Sequence, residues 1–389
     1  MQMSKKTASK LFGLVALFVG LVGGFAGFTY FTLPETDEVH VGEVYYSYGD
    51  NENSKIDLST DDAEVSVHFL ELGNKYTGDC TYIKTDTCDI LIDCGSKTNS
   101  IATVSNYLDQ YVTDGTLEYV IVTHAHMDHY AGFATSTKVE SIFDLYECET
   151  IIDFAGVTTD KVGTKTYNNY LRERDAEVAN GAKHFTALEC INGTTNATGT
   201  AQREFEVGTN VTLEILNSYF YANVDTRDEN NNSVCAMIKH GDKNFLFTGD
   251  LEAEGEEHLL SLNNLPQVDL YKAGHHGSKT SSSQALLEVI NPKTICVCCC
   301  AGSPEYTDTQ ENQFPTQQFI SNIVAFTDCT EVYVTTMCID YKNNKFTSMN
   351  GNIVYLSAAE GYNVVCSNNN TILKETEWFK QNRVWEAAT

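Results

Sequence analysis

Basic side chains are scarce in this sequence: 25 Lys and Arg stand against 53 Asp and Glu in 389 residues, a formal net charge of −28. Loose electrostatic binding to duplex DNA or to an anionic membrane surface needs a basic footprint, and so few cations leave room only for a local groove. Long apolar runs are scarcer still. A single stretch, Leu11 to Leu33, is free of charge over a bilayer's length, which excludes a membrane channel built from several spans. No Cys-x-x-Cys pair has a partner pair at zinc-ribbon spacing, so the thirteen cysteines do not describe such a site. What is present is an ordinary globular composition, 42% hydrophobic and 20% charged. The length suffices for one large domain or two ordinary ones.

Lys5, Lys6 and Lys10 precede the apolar run, and Glu35, Asp37 and Glu38 follow it. The run is longer than the apolar part of a cleaved signal peptide, and no clean A-x-A site follows it. The expected division is therefore 1–10 as a cytoplasmic basic tail, 11–33 as a transmembrane anchor, 34–63 as a polar linker and 64–389 as the folded domain. A cleaved signal segment is the alternative reading of 11–33. Charge asymmetry places the domain outside the cytoplasm, held to the cell membrane by one helix, or secreted if the segment is cut. In that oxidising setting Cys80 and Cys88, flanking a hairpin, are candidates to pair. Cys296, Cys298, Cys299 and Cys300 crowd one apolar strand, Ile295 to Ala301, and read first as small core hydrophobes.

The stretch Thr123-His124-Ala125-His126-Met127-Asp128-His129-Tyr130-Ala131-Gly132 follows the β-branched run Tyr119 to Val122, so it reads as the loop leaving a buried strand. Three imidazoles and a carboxylate make a poor core, because each needs a polar partner when buried. They make a good metal site, being donors that zinc, manganese and iron accept. In a loop, His124 and His126 converge on one ion, and Asp128 and His129 point at a second.

The chain before this loop reads strand, strand, strand, helix, strand. Val65 to Leu70, Cys80 to Lys84 and Asp89 to Asp93 are the strands, and Lys97 to Tyr111 has helical spacing. Asp93 ends an apolar strand beside Gly95; it is either a turn former or a carboxylate orienting a metal-bound imidazole from behind. Beyond the loop, Ile142 to Tyr146 and Thr150 to Phe154 read as strands and Tyr167 to Asn180 as a surface helix. His184 reads as a surface strand residue. A hairpin then leads to Thr248-Gly249-Asp250, a helix follows over Glu252 to Ser261, and a further strand ends in Gly274-His275-His276-Gly277-Ser278-Lys279-Thr280. Five of the ten histidines lie in the two loops 124–129 and 275–276. Clustering at strand ends is where α/β sites are made.

These ordered motifs, with His68-Phe69-Leu70, Gly78-Asp79, Leu91-Ile92-Asp93-Cys94-Gly95 and Asn231-Asn232-Ser233, resemble the metallo-β-lactamase fold hydrolases, and more narrowly the hydrolase domain of ComEC-type competence proteins. The resemblance implies an α/β fold of four layers, an αββα sandwich, with a dinuclear metal site at one rim. It implies that His124 and His126 bind the first ion, Asp128 and His129 the second, that Asp250 bridges, and that His275 or His276 completes the set. Asp79 and Asp93 would orient ligands from behind, and Asn231, Ser278 and Lys279 would contact substrate, Ser278 to Thr280 from a loop leading into a helix. The cofactor expected is two divalent ions, zinc first, with manganese or iron as alternatives. Two features depart from the family pattern: no third histidine for the first ion is identifiable, and Phe314-Pro315 stands where family members often carry His-Pro.

The function that follows is hydrolysis of a phosphodiester, in nucleic acid or a phosphate-containing envelope polymer, with Asp128 or a metal-bound hydroxide managing the proton and an imidazole of His275-His276, His276 first, protonating or contacting the leaving group. The acidic charge disfavours stable binding of duplex DNA. Hydrolysis of a lactone, thioester or β-lactam is the alternative chemistry, and a non-catalytic, metal-stabilised surface module is the alternative without chemistry.

Overall fold

The computed structural model describes residues 58–134 and 140–387. In chain order the first half comprises β1 (Val65–Phe69), β2 (Thr81–Lys84), β3 (Asp89–Ile92), α1 (Ile101–Leu108), β4 (Thr116–Ile121) and α2 (Met127–Tyr130). It continues through α3 (Ile142–Leu145), β5 (Glu147–Asp153), α4 (Lys165–Ala179) and β6 (Lys183–Thr186). Next come α5 (Ala187–Asn192), a small ribbon of β7 (Thr195–Asn196) and β8 (Gly199–Thr200), then β9 (Glu204–Gly208), β10 (Val211–Ile215) and α6 (Tyr219–Ala222). β11 (Ala236–His240), β12 (Lys243–Phe247), α7 (Ala253–Leu262), β13 (Leu270–Lys272), α8 (Gln284–Ile290) and β14 (Thr294–Ala301) follow. The chain finishes with α9 (Gln317–Phe326), β15 (Glu331–Asp340), β16 (Lys345–Ser348), β17 (Ile353–Ala358), β18 (Gly361–Cys366) and α10 (Glu377–Asn382).

Two eight-stranded sheets result, in the orders β18-β17-β1-β2-β3-β4-β5-β6 and β16-β15-β14-β13-β12-β11-β10-β9. They pack face to face. Phe69 of β1 meets Phe247 of β12 with ring centroids 6.5 Å apart, and Phe245 meets Tyr355 of β17 at 5.3 Å. The core between the sheets takes one face of each strand, including Cys296 and Cys298 of β14; the other face of that strand, with Ile295, Val297 and Cys299, packs under α7 to α10. The crowded cysteine strand is thus wholly buried and made of free thiols. Helices on both outer faces complete the αββα layering.

Three expectations fail. Ile142–Leu145 is helix, not strand, because Ser141 and Asp144 form a reciprocal cap: Asp144 N donates to Ser141 Oγ at 3.2 Å and Ser141 N to Asp144 Oδ2 at 2.8 Å. Cys80 and Cys88 remain free. They sit at opposite ends of the β2–β3 hairpin, whose register pairs Thr81 with Ile92 and Lys84 with Asp89. At about 3.3 Å per residue the separation is far too great for a bridge. The helix after the His-His loop begins at Gln284 under a Ser283 cap, so 278–280 lead into no helix. Residues 58–63, read as the end of the linker, already touch the domain: Leu58 is buried beside Val354 and Leu356. The apolar segment 11–33 lies outside the described residues, among which no helix is long and apolar enough to cross a membrane.

The parallel strands β3, β4 and β5 of one sheet and β12, β13 and β14 of the other present their carboxyl ends to a common rim. The loops leaving β3, β4, β12 and β13 carry Asp93, His124 to His129, Asp250 and His275-His276 respectively.

Candidate metal centre

Asp93 builds the floor of the rim. Its backbone turns left-handed (φ 58°) directly after β3, a conformation an Asp tolerates better than most residues. Its Oδ1 accepts from Thr123 N at 2.8 Å, and its Oδ2 accepts from Thr123 Oγ1 and from His129 Nδ1, both at 2.7 Å. Gly95 lies so close beneath the next loop that a Cβ there would sit 1.6 Å from the Asp128 carbonyl oxygen. Glu229 pins the other side of that loop: it accepts from Ala125 N at 3.1 Å and from Thr158 N at 2.6 Å.

Onto this floor the imidazoles converge. Asp250 Oδ2 lies 3.1 Å from His129 Nε2, 3.3 Å from His276 Nε2 and 3.9 Å from both His124 Nε2 and His275 Nε2. His124 Nε2 faces His126 Nδ1 at 3.0 Å. Asp128 Oδ2 is 3.5 Å from His276 Nε2 and accepts from the Tyr306 hydroxyl at 2.8 Å. His276 Nδ1 lies 2.9 Å from Cys298 O, an acceptor only, so Nδ1 carries a hydrogen and Nε2 is the nitrogen turned to the site. His129 is set in the same way by Asp93. Both His275 (φ 46°) and His276 (φ 55°) are left-handed; such strain persists where surrounding bonds over-determine it.

Burial, and next to it the His129 charge, pushes the His124 pKa well down; burial likewise lowers His126. Both imidazoles are neutral, the form a metal binds. Burial opposes ionisation of Asp250, but His129 and His276 outweigh it and hold that carboxyl well below its usual range. Asp128 is held low against burial in the same way, by His276 and His129. Burial also works against charge on His129 and His276, yet Asp250 with Asp93, and Asp250 with Asp79, raise them well above the ordinary imidazole value. In the absence of a metal both rings therefore hold a second proton, which an incoming ion would have to displace.

The donor set fits a divalent ion. Among the described residues Asp79, His129, Asp250 and His276 are buried and bring ligand atoms within 4.8 Å of one another. Asp79 Oδ1, His129 Nε2, Asp250 Oδ1 and His276 Nε2 are buried without a hydrogen-bond partner, at a cost of about 1–3 kcal/mol each unless something else meets them. His124, His126, Asp128 and His275 border this cluster.

Other expected contacts lie elsewhere. Asn231 is buried and bonds internally, donating to Asp225 Oδ2 at 3.1 Å and accepting from Glu252 N at 3.2 Å, and so braces the rim. Ser278 bonds Thr280 Oγ1 at 2.9 Å. Lys279 is exposed and reaches Asn312 at 3.3 Å, away from the cluster. His184 pairs with Asp153 at 2.9 Å, so no third imidazole reaches His124 and His126 from there. Three residues went unread in the sequence: Glu229, Tyr306 and Lys272, the last a buried ammonium paired with Asp79.

Fold and site resemble those of the metallo-β-lactamase type. The model of the metallo-beta-lactamase superfamily matches residues 73–140 and 224–300, the two segments that carry the cluster. More particularly, the chain resembles ComEC-type proteins. It is 34% identical over 73 residues to ComE operon protein 3 of Bacillus subtilis, and 40% identical over 70 residues to Recombination protein 2 of Haemophilus influenzae. These stretches cover 19% and 18% of the chain and only 9% of either relative. Among solved structures it is similar to the metallo-beta-lactamase fold protein YhfI from Bacillus subtilis, at 12% identity and a TM-score of 0.38 over 70% of this chain and 96% of that one.

Proposed function

We propose that the chain is a phosphodiesterase that works with two divalent ions, zinc first, on nucleic acid or an envelope polymer outside the cytoplasm, anchored through residues 11–33. The observation that supports the metal chemistry most is Asp250 Oδ2, set within 3.9 Å of four imidazole nitrogens from two other loops. A carboxylate so surrounded would suit a bridge between two ions. Similarity to ComEC-type relatives supports the phosphodiester, and the basic-before, acidic-after flanks of 11–33 support the location.

Divalent ions in such a site activate water near neutral pH and stabilise the charge that develops on the attacked group. The protein's own residues do the rest. Asp93 and Cys298 O fix the tautomers of His129 and His276, aiming both Nε2 atoms at the rim. Asp128, ionised and steadied by Tyr306, is placed to accept a proton. His276, within 3.5 Å of Asp128, is placed to contact the leaving group. With Asp79, Asp93, Asp128 and Asp250 around the site and a net charge of −28, long duplex DNA is repelled, so short, single-stranded or tethered substrates suit it better.

The test is metal content of the purified protein together with turnover of bis-p-nitrophenyl phosphate, beside Asp128→Ala. Two ions per chain and turnover reduced by about 100-fold or more in the variant are expected. Two ions with turnover of lactones or thioesters only would move the chemistry to acyl transfer. A chain that takes up no divalent ion would end the reading.

A further inference from the structure

Lys272, the last residue of β13, has a side chain only 3% exposed. A buried ammonium is costly unless paired, and its surroundings are all acceptors. It forms a close ion pair with Asp79 Oδ2, lies 3.8 Å from Asp250 Oδ1 and 3.5 Å from Gly249 O. Asp250 thus divides its oxygens, Oδ1 toward Lys272 and Oδ2 toward the four imidazoles. Asp79 does something different. Its Oδ1 is 3.2 Å from His276 Nδ1 and its Oδ2 is 3.7 Å from His129 Nδ1. Those are the far nitrogens of the rings whose Nε2 atoms meet Asp250. Asp79 therefore stands behind the imidazoles, although it is near enough to ligate: its carboxylate is one of the four groups within 4.8 Å. Its backbone is fixed, with N donating to Asp128 O at 3.0 Å and O accepting from Gly95 N at 2.9 Å, so a side-chain rotation alone separates orienting from ligating.

We infer that Lys272 is a built-in cation of this centre: its ammonium keeps Asp79 out of the metal's ligand set and holds it behind the rings of His276 and His129. The inference rests on the reading of the rim as a metal centre. It makes Lys272 an antagonist of metal binding as well as a prop. Removing the charge would free an anionic ligand, and that tightens binding.

The test is zinc affinity of the full chain, measured by competition with a chromophoric chelator, for wild type, Lys272→Met and the double variant Lys272→Met/Asp79→Asn. Methionine keeps the length and apolar stem of the lysine. Lys272→Met is expected to bind zinc about tenfold or more tightly, and Asp79→Asn in the same chain to cancel that gain. A folded Lys272→Met with unchanged or weaker affinity overturns the inference, as does a gain that survives Asp79→Asn. Should Lys272→Met not fold, Lys272→Gln takes its place. If neither folds, Lys272 is a structural prop and the inference falls. Wild-type protein that binds no zinc would overturn the metal centre itself, a result distinct from equal affinities in wild type and variant.

Discussion

Asp93 spends both oxygens on its neighbours, and one of those bonds decides what His129 can do. Replacing it by asparagine keeps the shape and an acceptor for Thr123 but can no longer offer a carboxylate to both Thr123 and His129 Nδ1. Asp93→Asn is expected to weaken zinc binding 10- to 100-fold with the fold retained, as read by metal titration beside circular dichroism. A second residue acts far from the metal. Glu256 on α7 is fully buried, and accepts from Ser282 N at 2.6 Å and Ser283 N at 2.8 Å. Burial pushes its pKa up from 4.5 to about 7, against the pull of those bonds. The folded state therefore holds this proton more tightly than the unfolded chain does. The stability it contributes is complete below about pH 4.5 and is lost as pH rises through about 7. Between pH 5 and pH 8 wild type should lose about 2.5 kcal/mol that Glu256→Gln does not lose. Denaturation midpoints of both proteins at the two pH values measure the difference, and equal slopes would refute it.

Elements whose pattern is local were legible in the sequence; elements set by a cap or by a distant partner were not. The strands feeding the rim announce themselves by apolar runs that stop at Asp-Cys-Gly, His-x-His or Gly-His-His. Ile142-Phe143-Asp144-Leu145 has the same apolar look, yet Ser141 and Asp144 close a cap around it, and three apolar residues in four do not distinguish the periods of helix and strand. The same limit hid three site residues. Lys272 at a strand end reads as a solvated lysine, Glu229 as one acid among several, and Tyr306 as a loop aromatic; only the docking of distant segments gives each its partner. Asn231 and Lys279 stand beside motifs, and their bonds to Asp225, Glu252 and Asn312 were equally invisible in the sequence. At this scale Gly95 is the sharpest test. A methyl group there would lie 1.6 Å from Asp128 O, so Gly95→Ala must push the turn after β3 away from the metal loop. It is expected to cost about 1–3 kcal/mol of stability and to lower zinc affinity in proportion more than thermal stability. Normal affinity in the folded variant would show that the loop yields without moving the ligands.

At the scale of the whole molecule, an ion at this rim would act as a joint. His124, His126, Asp128 and His129 belong to the first sheet's loops, and Asp250, His275 and His276 to the second's, so an ion held between them ties the two sheets together. Stripping metal with a chelator should lower the thermal midpoint, and free metal at about a thousand times its dissociation constant should add about 4 kcal/mol. A midpoint indifferent to metal would mean that the ions sit on one sheet alone. The sheets are also tied by the path of the chain, because β17 and β18 leave the second half and return to the first, where β17 pairs with β1 from Val65↔Ser357 to Phe69↔Ile353. A ribosome has therefore released almost all of this domain before β1 acquires its outer neighbour. Until then the emerging first half carries a bare strand edge and half of a metal site, so it must be shielded while it waits, and the metal can be gripped only by a chain whose synthesis has passed His276.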